Sequence, residues 1–364
     1  MKKIIISGGG TGGHIYPAIA IANALRVIDP NIEILFVGAK GKMEMEKVPK
    51  AGYKIVGLPI TGFQRTWSVA NLAFPFRLVQ SLLQARAIIK DFAPDAAVGV
   101  GGYASGPLLF AASWVGLPTL IQEQNSHAGI TNKVLAKYAS KICVAYPNME
   151  KFFAKEKIIL TGNPVRNDIV DIKDKRSAAV KHFGFVENKK TLLIIGGSLG
   201  AKSINESMEA GLKTFLDADY QVLWQTGKPY AEKAQKAVAA FNTTQLKTQD
   251  FIYEMDLAYA AADVVVSRAG ALAVSELCLV GKPAILVPYP FAAEDHQTQN
   301  AMSLVNQNAA LFVKDNAAAQ ELVQMAMRLL ENSDKQHQLS NNIKKLSKPE
   351  AARQIAEEVL KLTH

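Results

Sequence analysis

Short apolar runs alternate with helical patterns along almost the whole chain. The runs have the length and β-branched content of buried strands, and most lead through glycine-rich or polar turns into a stretch with a helical period. The predicted strands are residues 3–7, 32–37, 96–100, 119–122, 142–145, 191–195, 220–225, 264–267 and 284–287. Such alternation predicts an α/β fold of doubly wound parallel sheets covered by helices on both faces.

The pattern of strand, glycine loop and helix begins twice, near residue 3 and again near residue 191. Glycine and proline interrupt the chain between the two series at residues 161–164, Thr-Gly-Asn-Pro. We therefore predict two Rossmann-like domains, 1–163 and 164–345. A last helical pattern at about 350–364 can pack on either domain, including back on the first.

Residues 96–122 carry no charged side chain and could be mistaken for a membrane span. The stretch contains five glycines and two prolines, however, and they are spread evenly along it. A lipid-exposed helix does not accommodate so many helix breakers. A buried strand, a glycine loop, a helix and a second buried strand fit this segment better.

Composition narrows the class of protein. In a chain of 364 residues, 49 % apolar side chains exclude a mostly disordered chain. Two cysteines exclude a disulfide framework and a four-cysteine metal site. The apolar run after Met1 is too short for a signal peptide and leads into glycines, so a cytoplasmic location is the default expectation.

The net charge of +9 lies entirely in the first half of the chain. Residues 1–164 hold 18 basic and 9 acidic side chains, and the remainder is balanced. The basic residues are dispersed and no nucleic-acid motif accompanies them, so we predict no nucleic-acid partner. The segment from Phe63 to Phe92 mixes aromatic and basic residues with almost no acids, which is typical of a surface that binds an anionic membrane. Some of the apolar side chains in this segment must belong to the hydrophobic core of the domain.

Two glycine-rich loops each follow a predicted strand and open a helix. We name them loop 1, residues 8–13 (GGGTGG), and loop 2, residues 196–201 (GGSLGA). Glycines permit close backbone approach, and a helix N-terminus favours an anion. A dinucleotide site would need an acid directly after the second strand, where Gly38-Ala39-Lys40 stands, so the pattern disfavours NAD. Tight packing of strand on helix without a ligand is the alternative for either loop.

Five places in the chain carry candidate chemistry. His14 follows loop 1, where the helix dipole disfavours its cationic form and leaves a possible general base; a packing role is the alternative. The polar run 122–127 ends a strand and suits a polyhydroxylated ligand, or is only a polar loop. Arg166 can neutralise a diphosphate or form a structural ion pair. Glu276 can accept ribose hydroxyls or offset a helix dipole. Residues 288–300 form a polar loop that includes Gln297.

Metal chemistry has no sequence signal. The six histidines do not cluster, and no P-loop lysine motif occurs. We therefore predict no protein-bound metal and no other cofactor.

Seven motifs together resemble one family. GGGTGGH, GGYASGP, QEQNSHAGITNK, TGNPVR, GGSLGA, SRAGALAVSE and EDHQTQNA occur in this order between about residues 4 and 310. The chain thereby resembles the bacterial UDP-N-acetylglucosamine transferases that act on undecaprenyl-pyrophosphoryl-MurNAc-pentapeptide (lipid I). The resemblance implies a GT-B fold, in which two Rossmann-like domains face a cleft.

The resemblance also implies a role for each matching residue. It implies His14 as the catalytic base, with Glu123 and Asn125 as supports. The residues it implies for donor binding and for shaping the sugar and acceptor side are Thr11, Gly12, Gly13, Asn125, Arg166, Ser198, Ile252, Arg268, Gly270, Ala271, Leu272, Glu276 and Gln297. Among these, Glu276 would hold the ribose, the backbone near Ile252 the uracil, and Ser198 with Arg166 the diphosphate.

The implied reaction is inverting transfer of N-acetylglucosamine to the C4 hydroxyl of MurNAc in lipid I, which gives lipid II. The resemblance further implies a peripheral protein on the cytoplasmic face of the inner membrane, with cell-wall synthesis and division proteins as partners. A different glycolipid transferase, a nucleotide-sugar epimerase, a dehydrogenase and a non-enzymatic binding scaffold remain as alternatives.

Overall fold

The computed structural model describes residues 1–60, 74–165, 169 and 172–363. These residues form two compact units. Unit 1 comprises Met1–Arg166 together with Lys348–His364, and unit 2 comprises Asn167–Ser347. The C-terminal segment thus belongs to unit 1.

Unit 1 is built on a seven-stranded parallel sheet in the order β3-β2-β1-β4-β5-β6-β7. Its strands are β1 Lys3–Ser7, β2 Glu33–Ala39, β3 Lys54–Leu58, β4 Ala96–Gly99, β5 Thr119–Glu123, β6 Lys141–Val144 and β7 Ile158–Leu160. Its helices are α1 Gly12–Ile28, α2 Glu44–Lys50, α3 Phe74–Phe92, α4 Ser105–Trp114, α5 Ile130–Leu135 and the C-terminal α14 Ala351–Leu360. The strand order reverses between β1 and β4, as in Rossmann-like sheets.

Unit 2 repeats this architecture with six parallel strands in the order β10-β9-β8-β11-β12-β13. The strands are β8 Thr191–Ile195, β9 Gln221–Gln225, β10 Leu246–Gln249, β11 Val264–Ser267, β12 Ala284–Leu286 and β13 Leu311–Phe312. The helices are α6 Arg176–Phe183, α7 Lys202–Asp217, α8 Ala231–Ala239, α9 Met255–Ala261, α10 Ala271–Val280, α11 His296–Val305, α12 Ala318–Glu331 and α13 Ser333–Lys344. The two sheets confirm the predicted fold class.

The central strands are apolar throughout because both faces of each sheet are covered. In β1, Ile5 belongs to one core cluster of unit 1, whereas Ile4 and Ile6 belong to the cluster on the other face. This is the alternation that a strand imposes on its side chains. Helices on both faces bury these residues, which explains why the strands appear in the sequence as continuous apolar runs.

Four strands were not predicted from the apolar runs. They are β3, β7, β10 and β13. All four carry partly exposed residues and lie at the outer ends of their sheets. Partial exposure removes the continuous apolar run that marks a central strand. β2 also extends further than predicted, because Gly38 and Ala39 still pair with β3.

Residues 96–122 form β4, α4 and the first part of β5, which confirms the interpretation of that segment. Among the described residues, no helix combines the length and apolar content required to cross a membrane. At the C-terminus, α14 packs on α1 and adds Ile355, Ala356 and Val359 to the core of unit 1.

The aromatic and basic segment predicted at residues 63–92 is described from Phe74 onward; its first part, 63–73, lies outside the described residues. The remainder is α3, which packs against α4. Phe76, Val79 and Leu83 are exposed on α3, whereas its Ala85 and Ile89 are buried.

Candidate active site

In unit 1, the loops that follow β1 and β4 meet at the carboxyl edge of the sheet. The Gly9 N–H donates to the Gly101 carbonyl (3.3 Å). The Ser105 hydroxyl lies within 3.0 Å of the Ser7 carbonyl and 2.9 Å of the Gly101 carbonyl, to which it can donate. The strand order reverses at this point, and open parallel sheets bind ligands at such a position.

Two glycines allow the loops to pack this closely. Gly101 and Gly102 both have positive φ, +95° and +91°. A Cβ atom at Gly101 would lie 2.7 Å from His14 Nδ1, and one at Gly102 would lie 2.3 Å from the Gly9 carbonyl oxygen. The motif GGYASGP is therefore required to seat the histidine ring against the backbone.

His14 is the third residue of α1, and its ring is partly buried. Its Nδ1 atom lies 3.0 Å from Gln124 Oε1. Burial lowers the pKa of His14 below the usual 6.5; the charges of Glu123 and Glu44 and the hydrogen bonds with Gln124 and Val100 oppose this but do not outweigh it. The ring is therefore neutral at pH 7 and can accept a proton.

Glu123 organises the loop that follows β5. Its carboxylate accepts the N–H groups of Asn125 (3.0 Å) and Gly129 (3.0 Å) and the side-chain amide of Asn132 (2.8 Å). The residue is buried, so these hydrogen bonds replace its hydration. Glu123 therefore acts on His14 through its charge, while Asn125 stays partly exposed beside it.

The backbone of loop 1 binds the carboxylate of a residue from another element of unit 1. Glu44, the first residue of α2, is fully buried beneath the loop. Its carboxylate accepts the N–H groups of Gly10 (2.8 Å) and Ala39 (3.0 Å). A Cβ at Gly9 would lie 2.2 Å from Glu44 Oε1, so the glycine makes room for this acid. Glu44 is not among the predicted site residues, because it stands five residues beyond the end of β2 and outside the glycine motif.

Loop 2 of unit 2 follows β8 and opens α7. Its backbone turns on itself through a hydrogen bond from the Gly200 N–H to the Gly197 carbonyl (3.0 Å), and Ser198 and Leu199 are exposed. A Cβ at Gly200 would lie 2.0 Å from the Thr226 carbonyl oxygen, so the loop packs closely on the end of β9. Among the described residues, no carboxylate accepts a hydrogen bond from loop 2.

Gln225 connects loop 2 to the segment that contains Ile252. Its Nε2 donates to the Gly197 carbonyl (3.0 Å), and its Oε1 accepts the Ile252 N–H (3.0 Å). The Ile252 N–H is thus hydrogen-bonded within unit 2. A ligand at this position would therefore bond to the backbone carbonyl of Ile252. Gln225 is not among the predicted site residues, although a glutamine at the end of the predicted strand 220–225 was a sequence signal for it.

Glu276 lies on α10, in the second turn of the helix, and is partly buried. The Tyr259 hydroxyl, which is buried, donates to Glu276 Oε2 (3.0 Å). Gly270, Ala271 and Leu272 open the helix, and a Cβ at Gly270 would meet open space. The carboxylate is thereby oriented at the carboxyl edge of the sheet, where it can accept hydroxyl groups.

Arg268 is occupied by contacts within unit 2. Its guanidinium, 11 % exposed, forms an ion pair with Asp315 and donates to the carbonyls of Val287 (3.0 Å) and Pro288 (3.1 Å). It also donates to the Ser203 hydroxyl at the start of α7 (3.2 Å). The side chain therefore joins three loops of this edge rather than presenting its charge to solvent.

The polar loop after β12 is also held internally. Gln297 Oε1 accepts the Tyr289 N–H (2.9 Å), and Asn300 Nδ2 donates to the Ala269 carbonyl (3.2 Å). Gln297 remains partly exposed, whereas Asn300 is fully buried.

The predicted site residues therefore fall into two groups. The carboxyl edge of the unit 1 sheet holds Thr11, Gly12, Gly13, His14, Glu123 and Asn125. The carboxyl edge of the unit 2 sheet holds Ser198, Ile252, Arg268, Gly270, Ala271, Leu272, Glu276 and Gln297. Arg166 lies outside the described residues. In the described part of the chain, no three His, Cys, Asp or Glu side chains are placed so that they could hold a metal ion.

Comparison with known proteins identifies two family models. The N-terminal domain of glycosyltransferase family 28 matches residues 4–144, and the C-terminal domain of the same family matches residues 191–356. The two matches cover well over half of the chain.

Similar proteins extend over almost the full length. The chain is 56 % identical to a Phocaeicola vulgatus protein over 99 % of this chain and 96 % of that protein. It is 53 % identical to a Parabacteroides distasonis protein over 99 % of this chain and 98 % of that protein. Both are named UDP-N-acetylglucosamine–N-acetylmuramyl-(pentapeptide) pyrophosphoryl-undecaprenol N-acetylglucosamine transferase. A crystal structure of Acinetobacter baumannii MurG matches with a TM-score of 0.79 and 29 % identity, over 99 % of this chain and 100 % of that one.

Proposed function

Because the chain belongs to glycosyltransferase family 28, we propose that it transfers N-acetylglucosamine from UDP-N-acetylglucosamine to MurNAc of lipid I and so forms lipid II. The observation that carries this proposal is the full-length identity of 53–56 % to proteins named for that reaction. The chain is a glycosyltransferase. The roles of individual residues below are part of the proposal.

The donor binds at the carboxyl edge of the unit 2 sheet. Loop 2 and the N-terminus of α7 receive the diphosphate, because exposed N–H groups at a helix start favour an anion. Glu276 accepts the ribose hydroxyls, and the Ile252 carbonyl accepts a uracil N–H. The contacts of Gln225 support this arrangement, since one side chain holds both loop 2 and the Ile252 segment.

Unit 1 supplies the base. The C4 oxygen of MurNAc attacks the anomeric carbon, the bond from that carbon to the UDP oxygen breaks, and the configuration inverts. His14 Nε2 accepts the hydroxyl proton, and UDP leaves with the electron pair of the broken bond. The charge that develops on the diphosphate is stabilised by loop 2. The lowered pKa of His14 supports its role, because the ring is neutral before the step.

The reaction proceeds without a protein-bound metal or other cofactor. This part of the proposal rests on the sequence, in which the six histidines do not cluster and no P-loop lysine motif occurs. Transfer should persist in the presence of a chelator; loss of transfer that a divalent cation restores would contradict it.

The protein docks on an anionic membrane through unit 1, peripherally and from the cytoplasmic side. An apolar stripe on α3 supports this: Phe76 is 80 % exposed, and Val79 and Leu83 follow it on the same helix face. Trp114 on the adjoining α4 is also exposed, and α3 carries Arg77, Arg86 and Lys90. Aromatic and apolar side chains with basic neighbours suit the interface of an anionic bilayer. Association with cell-wall synthesis and division proteins stays a prediction.

Vesicle binding tests the membrane surface. The double variant Phe76→Ser, Leu83→Ser should bind anionic vesicles several-fold more weakly and keep its turnover on a water-soluble acceptor. Val186→Ser, which changes an exposed apolar residue of unit 2, is the matched control. Equal vesicle binding by all three proteins would exclude this surface.

The central experiment measures transfer of labelled N-acetylglucosamine to a short-chain lipid I analogue, with a reaction lacking acceptor as control. Formation of a disaccharide lipid only when acceptor is present is the expected result. Consumption of the donor without acceptor would indicate an epimerase instead. Donor binding without any product would restrict the proposal to the donor half and direct the search to other acceptors.

A further inference from the structure

The side chain of Gln124 has a defined orientation next to His14. It is buried, its Oε1 lies 3.0 Å from His14 Nδ1, and its Nε2 donates to the Val100 carbonyl (2.7 Å). The same Nε2 also donates to the carbonyl of Gln122 (3.2 Å) and to Gln122 Oε1. A flipped amide would place its oxygen against these acceptor oxygens. The oxygen of Gln124 therefore faces the histidine.

Further amides hold this orientation. Gln122 Nε2 donates to Asn163 Oδ1 (3.0 Å), so Gln122 Oε1 is the atom left to accept from Gln124. Asn163 Nδ2 donates in turn to the Gln124 backbone carbonyl (3.0 Å). All three side chains are buried. The segment at 161–164 thus contributes to the site by bracing the amide that contacts His14.

An oxygen acceptor at Nδ1 determines which ring nitrogen carries the proton. A neutral imidazole has one N–H and one lone pair, and the hydrogen bond at one nitrogen fixes the state of the other. We propose that Gln124 is a positioning residue that holds His14 in the Nδ1–H form, so that Nε2 presents its lone pair to the acceptor hydroxyl. The identity of that hydroxyl rests on the proposed function; the ring state does not.

A neutral amide in this position differs from a carboxylate. A carboxylate at Nδ1 would attract the proton that the ring gains and would raise the pKa of the histidine. The amide orients the ring without that charge, and the acids that act on the ring are Glu123 and Glu44, which bond to backbone and amide groups instead. His14 is thereby kept neutral and correctly oriented before the step.

The ring state can be measured on the whole protein without any substrate. Nitrogen-15 spectra of labelled histidine distinguish the protonated from the bare ring nitrogen. The unaltered protein should show His14 protonated at Nδ1. Gln124→Met keeps the volume but removes the side-chain oxygen 3.0 Å from Nδ1, and it should show a mixture of the two ring forms. Gln221→Met removes a buried, hydrogen-bonded glutamine of unit 2 and is the control for general disturbance.

Kinetics then test whether the ring state matters. Gln124→Met should lower kcat about ten- to a hundred-fold, a part of the roughly 10²–10⁴-fold that a general base contributes, with little change in the KM for the donor. The same change made in a His14→Ala background should lower kcat no further, because the residue acts only through His14.

The conservative variant Gln124→Glu returns an oxygen to Nδ1 together with a charge. It should recover the Nδ1–H form, and the rising limb of its pH–rate profile should move to higher pH, because the added charge raises the pKa of His14. In the unaltered protein the rising limb of kcat/KM should lie at lower pH than in Gln124→Glu, because burial holds the pKa of His14 below its usual value.

The outcomes separate this inference from the proposed function. A ring protonated at Nε2, or a Gln124→Met protein with unchanged ring state and kcat, would overturn the inference and leave the transferase assignment intact. An equal further loss of kcat in the His14→Ala background would also overturn it. A protein that transfers no sugar at all would overturn the proposed function, and the spectra alone would then decide the inference.

Discussion

Loops 1 and 2 share a sequence pattern and a place in their sheets, but they differ in charge. In loop 1, the buried carboxylate of Glu44 accepts the Gly10 N–H, so the anion that such a loop favours is part of the chain. In loop 2, Ser198 is exposed, and among the described residues no carboxylate accepts from that backbone. A carboxylate bound to the loop repels a second anion, whereas a loop at a helix start that binds no carboxylate of the chain attracts an anion.

The comparison indicates that a glycine loop defines a backbone geometry and not a ligand. Both loops place a helix N-terminus at the carboxyl edge of a sheet. What distinguishes them is one side chain, Glu44, from a different element. We therefore expect the diphosphate of the donor to depend on loop 2, while loop 1 serves to hold His14.

The largest expected effect separates the base from the donor site. His14→Ala should lower kcat about 10²–10⁴-fold, because a general base contributes that much, and should leave UDP affinity unchanged. Steady-state kinetics and calorimetric titration with UDP measure the two quantities. His337→Ala, at an exposed histidine of unit 2, is the control. A His14→Ala protein with normal turnover would remove His14 as the base.

The next effect belongs to the donor side. Glu276→Ala should raise the KM for UDP-N-acetylglucosamine about ten- to a hundred-fold, since hydrogen bonds to a charged group contribute roughly 1.5–3 kcal/mol, while kcat stays within a few-fold. Tyr259→Phe should act in the same direction but less strongly, because it only orients the carboxylate. Glu321→Ala, on the exposed start of α12, controls for loss of charge. A fall in kcat at constant KM would argue against ribose binding.

Equivalent acids placed in the two loops test the comparison directly. Ser198→Asp should weaken UDP binding roughly tenfold through repulsion of the diphosphate. Thr11→Asp, at an exposed position of loop 1, should leave UDP binding unchanged. Calorimetric titration at two salt concentrations measures both variants, and the effect at Ser198 should shrink at the higher one. Equal weakening by the two acids would mean that both loops contact the diphosphate.

The smallest effect concerns the stability of loop 1. Glu44→Gln retains the shape of the side chain but removes the charge and one acceptor atom, so a buried backbone N–H loses its partner at a cost of about 1–3 kcal/mol. The apparent Tm should fall by several degrees, with unchanged affinity for UDP. Glu46→Gln, at an exposed position on the same helix, should leave the Tm unaltered. Weaker UDP binding by Glu44→Gln would contradict the separation of the two loops.

Much of the fold could be predicted because central strands are covered on both faces. β1, β4, β5, β8 and β11 appear as apolar runs, and the two series of strand, loop and helix follow from them. Strands toward the sheet ends escaped detection, since one side of each meets water and the apolar run is lost.

The sequence predicted where along the chain the site residues lie, but only in part which groups they contact. Strand ends in a parallel sheet meet at one edge, so polar residues after different strands were expected to lie together. The contacts of Glu123, Arg268 and Ile252 were not expected. Glu123 holds its own loop, Arg268 pairs with Asp315, and the Ile252 N–H bonds to Gln225.

The sequence by itself determined the two α/β units, the places of both glycine loops and the family, because these depend on residues close together along the chain. The tertiary structure alone decided that Glu44 fills loop 1 and that Gln124 faces His14 across 110 positions of sequence. The physical reason is that a hydrogen bond needs two atoms about 3 Å apart in a defined direction. No local pattern encodes that distance between residues on different helices and loops, and only the packed fold brings them together.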